Sequence, residues 1–319
     1  MTSTTDLPTV RLGTRPSPMP LEQTGRFTNA FRARYPQAFL DIVEIISEGD
    51  RHPGPLSAIG GKGAFTRNAD RHLLDGRVQA TIACAKDVPG PHDRSPGITV
   101  GAVLPREDTR DALVHPASQP AAKLAELPPG TRVGTSAPRR AALLKARHPT
   151  LVPVPIRDNA DSRLAKLDDG TLGVDVMIAP PGRPAPPRPR TPDHRDPRPT
   201  LWLPAAGAGI VLVEHRTDDP ATGNLLTPLT HAPTRIALDA ERAALATLHG
   251  DYLTAASAHA TLDRTASLVT VHAAVLGPAG GTPLRATASG PTTAAAAVGQ
   301  EAGHQLLAAG ADRYLGRPR

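Results

Sequence analysis

Aromatic residues are scarce in this chain. One Trp, three Tyr and four Phe in 319 residues mean that its cores must be filled by Ala, Val, Leu and Ile rather than by rings. Cysteine is scarcer still. A single Cys84 excludes an intramolecular disulfide, and no Cys/His spacing of the zinc type occurs, so a reducing cytosol and no metal are expected. Long apolar runs are also missing. No stretch approaches the roughly 20 apolar residues of a membrane span, and no apolar signal core follows the first basic residues, so the sequence reads as soluble and cytoplasmic.

What is present fits two or three compact domains. The 36 prolines and 28 glycines fall mostly between apolar runs, where they punctuate elements instead of forming one disordered tract. The net charge of +6 favours an anionic partner. A nucleic acid, a membrane surface and a polycarboxylate all satisfy that condition, and charge alone does not choose among them.

Strand-like and helical stretches alternate over residues 10–13, 21–34, 39–46, 65–74, 80–84 and 98–104, as expected of βαβ units on a mainly parallel sheet. A second series spans 112–178, with helices expected at 121–127, 138–147 and 159–167 and a closing strand at 174–178. Between Pro180 and Pro199 the composition turns to Pro and Arg, which reads as an extended surface loop because closely spaced prolines exclude a helix. The apolar segment 203–213 is expected to cross back to the first domain. Beyond about residue 227, a helix at 235–248, strands at 267–276 and 284–288 and an Ala-rich helix at 292–309 describe a small α+β domain. No fixed-period repeat is evident, and the two α/β halves can share a topology without sharing sequence.

Short motifs then follow in order. They are Gly13-Thr14-Arg15-Pro16-Ser17-Pro18, Gly60-Gly61-Lys62-Gly63-Ala64-Phe65, Lys86-Asp87-Val88-Pro89 and the run from Arg106 to Ala112. Gly134-Thr135-Ser136-Ala137-Pro138-Arg139-Arg140, Arg157-Asp158-Asn159, Arg163-Leu164-Ala165-Lys166-Leu167, the run from Leu203 to Gly209 and Ala240-Glu241-Arg242 continue the series. Taken together, over about residues 10–315, they resemble the porphobilinogen deaminase (hydroxymethylbilane synthase) family.

The resemblance implies an α/β protein of three domains. Two are doubly wound α/β domains like the lobes of periplasmic binding proteins, 1–106 with 207–226 and 107–206, and the third is a small α+β domain, 227–319. It implies a monomeric transferase that deaminates porphobilinogen and joins the units into a linear tetrapyrrole for heme-type porphyrin biosynthesis. Its primer would be a covalent dipyrromethane cofactor attached from a third-domain loop. Asp87 takes the catalytic place. Arg15, Ser17, Lys86, Thr135, Ser136, Arg139, Arg140, Arg157 and Arg163 fall at positions that hold acetate and propionate arms, and Gly60, Gly61, Lys62 and Phe65 belong to a loop beside them. The chemistry suits these residue types. A fixed carboxylate stabilises positive charge developing on a pyrrole, and guanidinium forks bind carboxylates bidentately. Arg139 and Arg140 also open a helix, whose free N–H groups favour anions.

The chain departs from the family pattern in several places. Leu248-His249-Gly250-Asp251-Tyr252 occupies the cofactor loop, so Tyr252 stands where the attachment cysteine should be. A phenol with a pKa near 10 is a far weaker nucleophile than a thiolate, and conventional attachment is not expected. Ala58, Ala83 and Ala208 replace a lysine, a histidine and a glutamine. Asp158 and Asp161 replace glycines and are expected to compete for Arg157 or Arg163. Cys84 is a speculative substitute thiol, weighed against its plain reading as a small core residue. These departures support an alternative: a repurposed relative that binds anionic pyrroles without standard turnover. Nucleic acid is not expected as a partner, since the Arg/Pro stretch lacks aromatics and Asp193 and Asp196 dilute its charge. Gly-Gly-Lys-Gly lacks the spacing of a P-loop, and His249 and His259 read as surface residues.

Overall fold

The computed structural model describes residues 9–51, 63–90, 93–180, 190–192, 202–249 and 255–315. Ala58, Gly60, Gly61, Lys62, Tyr252 and most of the Arg/Pro stretch lie outside the described residues. The first unit contains β1 (Val10–Thr14), α1 (Pro18–Arg34), β2 (Leu40–Glu44), α2 (Glu48–Arg51), α3 (Gly63–Leu74), β3 (Ala80–Cys84) and β4 (Ile98–Val103). The chain then passes through β5 (Ala112–Val114), β6 (Arg132–Gly134), α4 (Pro138–Arg147), β7 (Val152–Val154), α5 (Ala160–Asp168), β8 (Val176–Ala179) and β9 (Arg190–Pro192). It continues with β10 (Val211–Arg216), α6 (Pro220–Leu226), α7 (Ala232–Thr247), β11 (Ala256–Asp263), β12 (Leu268–Gly277), β13 (Gly280–Pro291) and α8 (Ala295–Ala308).

These strands form three sheets, ordered β2-β1-β3-β10-β4, β7-β6-β8-β5-β9 and β11-β12-β13. The first two are one topology used twice: three parallel strands, a strand running the other way, and a fifth beyond it. In each the reversed strand arrives from the other unit. β10 returns into the first sheet with Val211 opposite Cys84, and β5 enters the second with Ala112 opposite Ala179. Both crossings therefore join the carboxyl edge of one parallel sheet to the carboxyl edge of the other, the edge at which open α/β sheets bind ligands.

The crossings run side by side, Leu104 N donating to Val211 O (3.0 Å) and Glu107 N to Gly209 O (2.8 Å). Glu241 of α7, fully buried, ties them to the third sheet. Its carboxylate accepts from Arg106 Nη1 (2.6 Å), Gly207 N (2.7 Å) and Ala260 N (2.8 Å). His259 Nδ1 lies 3.5 Å from the same carboxylate, so it belongs to this buried junction and not to the surface. Gly207, at φ +74°, allows the return segment to press on the turn after β3, where a Cβ would lie 2.9 Å from the backbone of Ala85 and Lys86.

The cores follow the composition. Among the described residues, Phe27 and Phe31 of α1 are the only rings fully buried in the first sheet's core, beside Leu12, Ala80 and Val213. The third core is built almost wholly from Ala, Val and Leu, and α7 and α8 close tightly because α8 presents glycine: a Cβ on Gly299 would sit 2.0 Å from Ala240 O. Two expectations need correction. The helix at 121–127 is only a 3₁₀ turn, Leu124–Glu126, between extended Lys123 and Leu127, because Pro120 and Pro128 leave too short a window and a residue before proline avoids the helical region. Inside the Arg/Pro stretch, β9 pairs with β5 at the sheet's edge; prolines exclude a helix there but not an edge strand.

Among the described residues no helix is long and apolar enough to cross a membrane, and no group of three or more His, Cys, Asp and Glu is placed to hold a metal ion.

Candidate active site

At the first sheet's carboxyl edge, Arg15 and Ser17 follow β1, Asp50 follows β2, and Lys86 and Asp87 follow β3. Ser17 precedes α1 with no capping bond from its hydroxyl. Arg15 Nε donates to Asp50 Oδ2 at 2.9 Å, its Nη2 contacts Asp50 Oδ1, and its guanidinium lies 4.5 Å above the Phe65 ring. Burial pushes the Asp50 carboxyl up, but Arg15 and the Ser47 hydroxyl outweigh it and hold the group below its ordinary value.

Asp87 ends a 3₁₀ turn, Ala85–Asp87. It is half-buried, and among the described residues its carboxylate makes no hydrogen bond or ion pair. Lys86 beside it is equally unspent. Cys84, three residues earlier, is half-buried with Gln23 as a neighbour. Burial pushes its thiol up, Asp87 adds to the rise, and Lys86 opposes it without reversing it. That environment is the opposite of the electropositive one that makes a cysteine nucleophilic.

At the second sheet's carboxyl edge, Thr135 and Ser136 follow β6 and Arg157 follows β7. Thr135 Oγ1 accepts from Ala137 N (3.2 Å). Arg139 and Arg140, in the first turn of α4, are buried with their forks on a carboxylate of this chain. Arg139 Nη2 reaches Asp111 Oδ2 (2.7 Å) and Arg140 Nη2 reaches Asp111 Oδ1 (2.6 Å). The Trp202 indole donates to Asp111 Oδ2 (2.8 Å), while Leu203 O accepts from Arg139 and Ile178 O from Arg140. Burial alone would raise the Asp111 carboxyl, but two guanidiniums and the indole hold it far below the ordinary carboxylate range. The triad keeps a surplus of one positive charge, and Arg140 Nε is buried without a hydrogen-bond partner among the described residues.

Arg163 Nε donates to Arg157 O at 3.3 Å, which gathers these two arginines at the entry to α5. Asp158 does not compete for either. Its backbone is left-handed, φ +96°, as a glycine position would be, and its carboxylate accepts from Lys166 Nζ at 2.7 Å.

The sequence reading left Asp50 and Asp111 without a role. For Asp111 a signal existed: an acid at the mouth of the apolar run Ala112-Leu113-Val114 is bound for burial, and a buried carboxylate requires a cation.

Residues 10–224 match the profile described as porphobilinogen deaminase, dipyromethane cofactor binding domain. The chain belongs to the porphobilinogen deaminase family. It is 35% identical over 308 residues to the porphobilinogen deaminase of Syntrophotalea carbinolica, covering 96% of this chain and 95% of that one. It is 37% identical over 302 residues to that of Chromobacterium violaceum, 94% of each. It is 38% identical over 259 residues to porphobilinogen deaminase 2 of Streptomyces coelicolor, 81% of each. Among solved structures, the methionine-binding protein MetQ aligns with 69% of this family member and 89% of its own chain at 11% identity and a TM-score of 0.42, too loose a likeness to carry an argument.

Proposed function

We propose that this family member is a transferase of the hydroxymethylbilane synthase type, acting on a pyrrole that bears acetate and propionate arms, with Asp87 as its catalytic residue. The observation that carries the reading is the unspent Asp87 carboxylate. It is half-buried at the carboxyl edge where both crossings meet, while at these two edges Asp50 and Asp111 are paired with arginine and Asp158 with lysine. A fixed anion there stabilises the cation that develops on a pyrrole as ammonia leaves, and it can hold a pyrrole N–H.

Binding of the acidic arms is a matter of field as well as contact. The Asp111 triad contributes one net positive charge and Lys86 adds its own, while Arg157 and Arg163 stand at the same edge. Ser17, Thr135 and Ser136 supply neutral donors. Direct grip by Arg139 or Arg140 would require leaving Asp111, so these two act chiefly through the charge they leave uncancelled. Arg15 is exchangeable, since an incoming carboxylate can replace Asp50 at a partly exposed pair.

The non-covalent half of a dipyrromethane site fits the residues present: Asp87 for the pyrrole nitrogens and the cations for its side chains. When bound, that group supplies the primer to which new units are joined. Covalent attachment at position 252 does not fit, because the sulfur of the family's thioether is replaced by a phenol, and no step is routed through it. The raised Cys84 thiol makes a poor substitute nucleophile. The repurposed binder remains the second reading, and the Tyr252 replacement favours it.

Incubation of purified protein with porphobilinogen separates the two. Linear tetrapyrrole should form, and Asp87→Asn should lower the rate by about 10²–10⁴-fold without shifting the unfolding midpoint. Retained porphobilinogen binding with no product at any protein concentration would reject turnover and leave the binder. Intact mass should show no dipyrromethane adduct on the natural chain and gain one in Tyr252→Cys.

A further inference from the structure

Beneath the turn that carries Asp87 lies a charged cluster that the function above does not use. It consists of Asp70 from α3, Arg94 from the segment 93–97, Glu214 from β10 and Arg242 from α7. Asp70 is 7% and Glu214 2% exposed. Along β10, Leu212 and Glu214 point to one face by the two-residue period of a strand. Leu212 on that face packs with Ala85, Val88 and Leu238, and Arg242 follows Leu238 by one turn of α7.

The bonds run from this cluster to the turn. Arg94 Nη2 pairs with Glu214 Oε1, Ser95 Oγ donates to Asp70 Oδ2 (3.0 Å), and Arg242 Nη2 donates to Pro89 O (2.6 Å). Burial lowers the Arg242 guanidinium and Arg94 and Arg235 lower it further, against Glu214 and Asp239, which hold its charge. Burial pushes the Glu214 carboxyl up to about 7 and Asp70 adds to the rise, against Arg94 and Arg242. On the strands beside β10, the residues opposite Glu214 are Thr81 and Val100, which carry no charge.

The turn is thus held from outside at both ends. Ala85 N donates to Ile210 O of the return segment (2.8 Å) at its start, and Pro89 O accepts from Arg242 at its close. Val88 between them is buried. A five-residue turn fixed at both ends leaves the Asp87 carboxylate little freedom.

The geometry points to Arg242 as a positioning residue: from α7 it clamps the Pro89 carbonyl and so fixes where Asp87 sits. The inference rests on Asp87 being the working carboxylate, and its test has a readout that needs no turnover. Cys84 is the chain's only cysteine and adjoins the turn, so its alkylation by iodoacetamide at pH 7.5 reports how tightly the turn is held. Arg242→Met should speed alkylation about tenfold, since a charge-assisted bond to a buried carbonyl is lost and the turn opens locally. Arg242→Lys, which keeps a cation and a donor, should stay within about threefold of the natural chain, and Arg242→Gln, which keeps a donor without the charge, should fall between them. Amide exchange should rise in residues 85–90 and not in β12, which separates a local clamp from general loosening.

Where porphobilinogen is consumed, Arg242→Met should lower kcat by up to about 10²-fold with KM little changed, the signature of a misplaced catalytic group. A Cys84 rate within twofold of the natural chain in Arg242→Met, or equal acceleration by Met and Lys, overturns the clamp. Should Arg242→Met fail to fold, Arg242→Gln and Arg242→Lys decide in the same way: no graded response means no clamp. Absence of turnover in the natural chain sinks the Asp87 assignment alone, because the thiol series is read without substrate.

Discussion

The two parallel sheets hold their arginines by contrasting devices. At the first, one guanidinium meets one carboxylate, Arg15 on Asp50, with about a quarter of each side chain exposed. At the second, two guanidiniums share Asp111, all three buried, and one positive charge is left over. An exposed pair is screened by water and exchanges readily; a buried one cannot lose a member without stranding the rest. Residues that look alike in the motifs are therefore a partly exposed pair in one unit and a buried anchor with a residual field in the other.

The contrast breaks most visibly at Asp111. Asp111→Ala strands two buried guanidiniums and should destabilise the protein by about 3–5 kcal/mol, read as the shift in a denaturant midpoint. The acid limb gives a second view. The folded pKa of Asp111 is depressed, so its contribution is fully present above the unfolded value near 4 and is lost as pH falls below it. The stability gap between the natural chain and Asp111→Asn should accordingly narrow as pH drops from about 5 toward 2; a gap that stays constant would mean that the triad is not charged as described. Asp50 shifts in the same direction, but its exposure makes its limb shallow.

Smaller effects sharpen the comparison. Asp158→Gly at φ +96° relieves a left-handed backbone and should stabilise by about 1 kcal/mol, even though it removes the exposed pair with Lys166. Asp50→Asn should change stability by no more than about 1 kcal/mol. It should also tighten porphobilinogen binding by calorimetry, because Arg15 is released. Weaker binding in that variant would make Asp50 a partner of the ligand site rather than a competitor for it.

Much of this was legible in advance where residue type and period agree. β3 and α4 lie where apolar alternation, Pro138 at a helix start and the basic C-terminal turn put them. β11 was missed because Ala256, Ala258 and Ala260 are weak strand formers, and the segment is held by its ladder with β12. Within the site, the positions after β1, β3, β6 and β7 were legible as motifs. The carboxylates that occupy the arginines were not, for they lie 35 residues from Arg15 and 28 and 29 residues from Arg139 and Arg140. The Glu241 junction and the Arg242 contact with Pro89 escaped for the same reason, joining α7 to segments more than a hundred residues earlier.

The sequence by itself determined the family and the α/β alternation, because each is a matter of residue identity and spacing along one line. Only the tertiary structure decided which arginine is spent and which carboxylate is free. Ion pairing depends on which chain segments the crossings bring within about 3 Å and on how much water they exclude, and neither quantity is written locally in the chain.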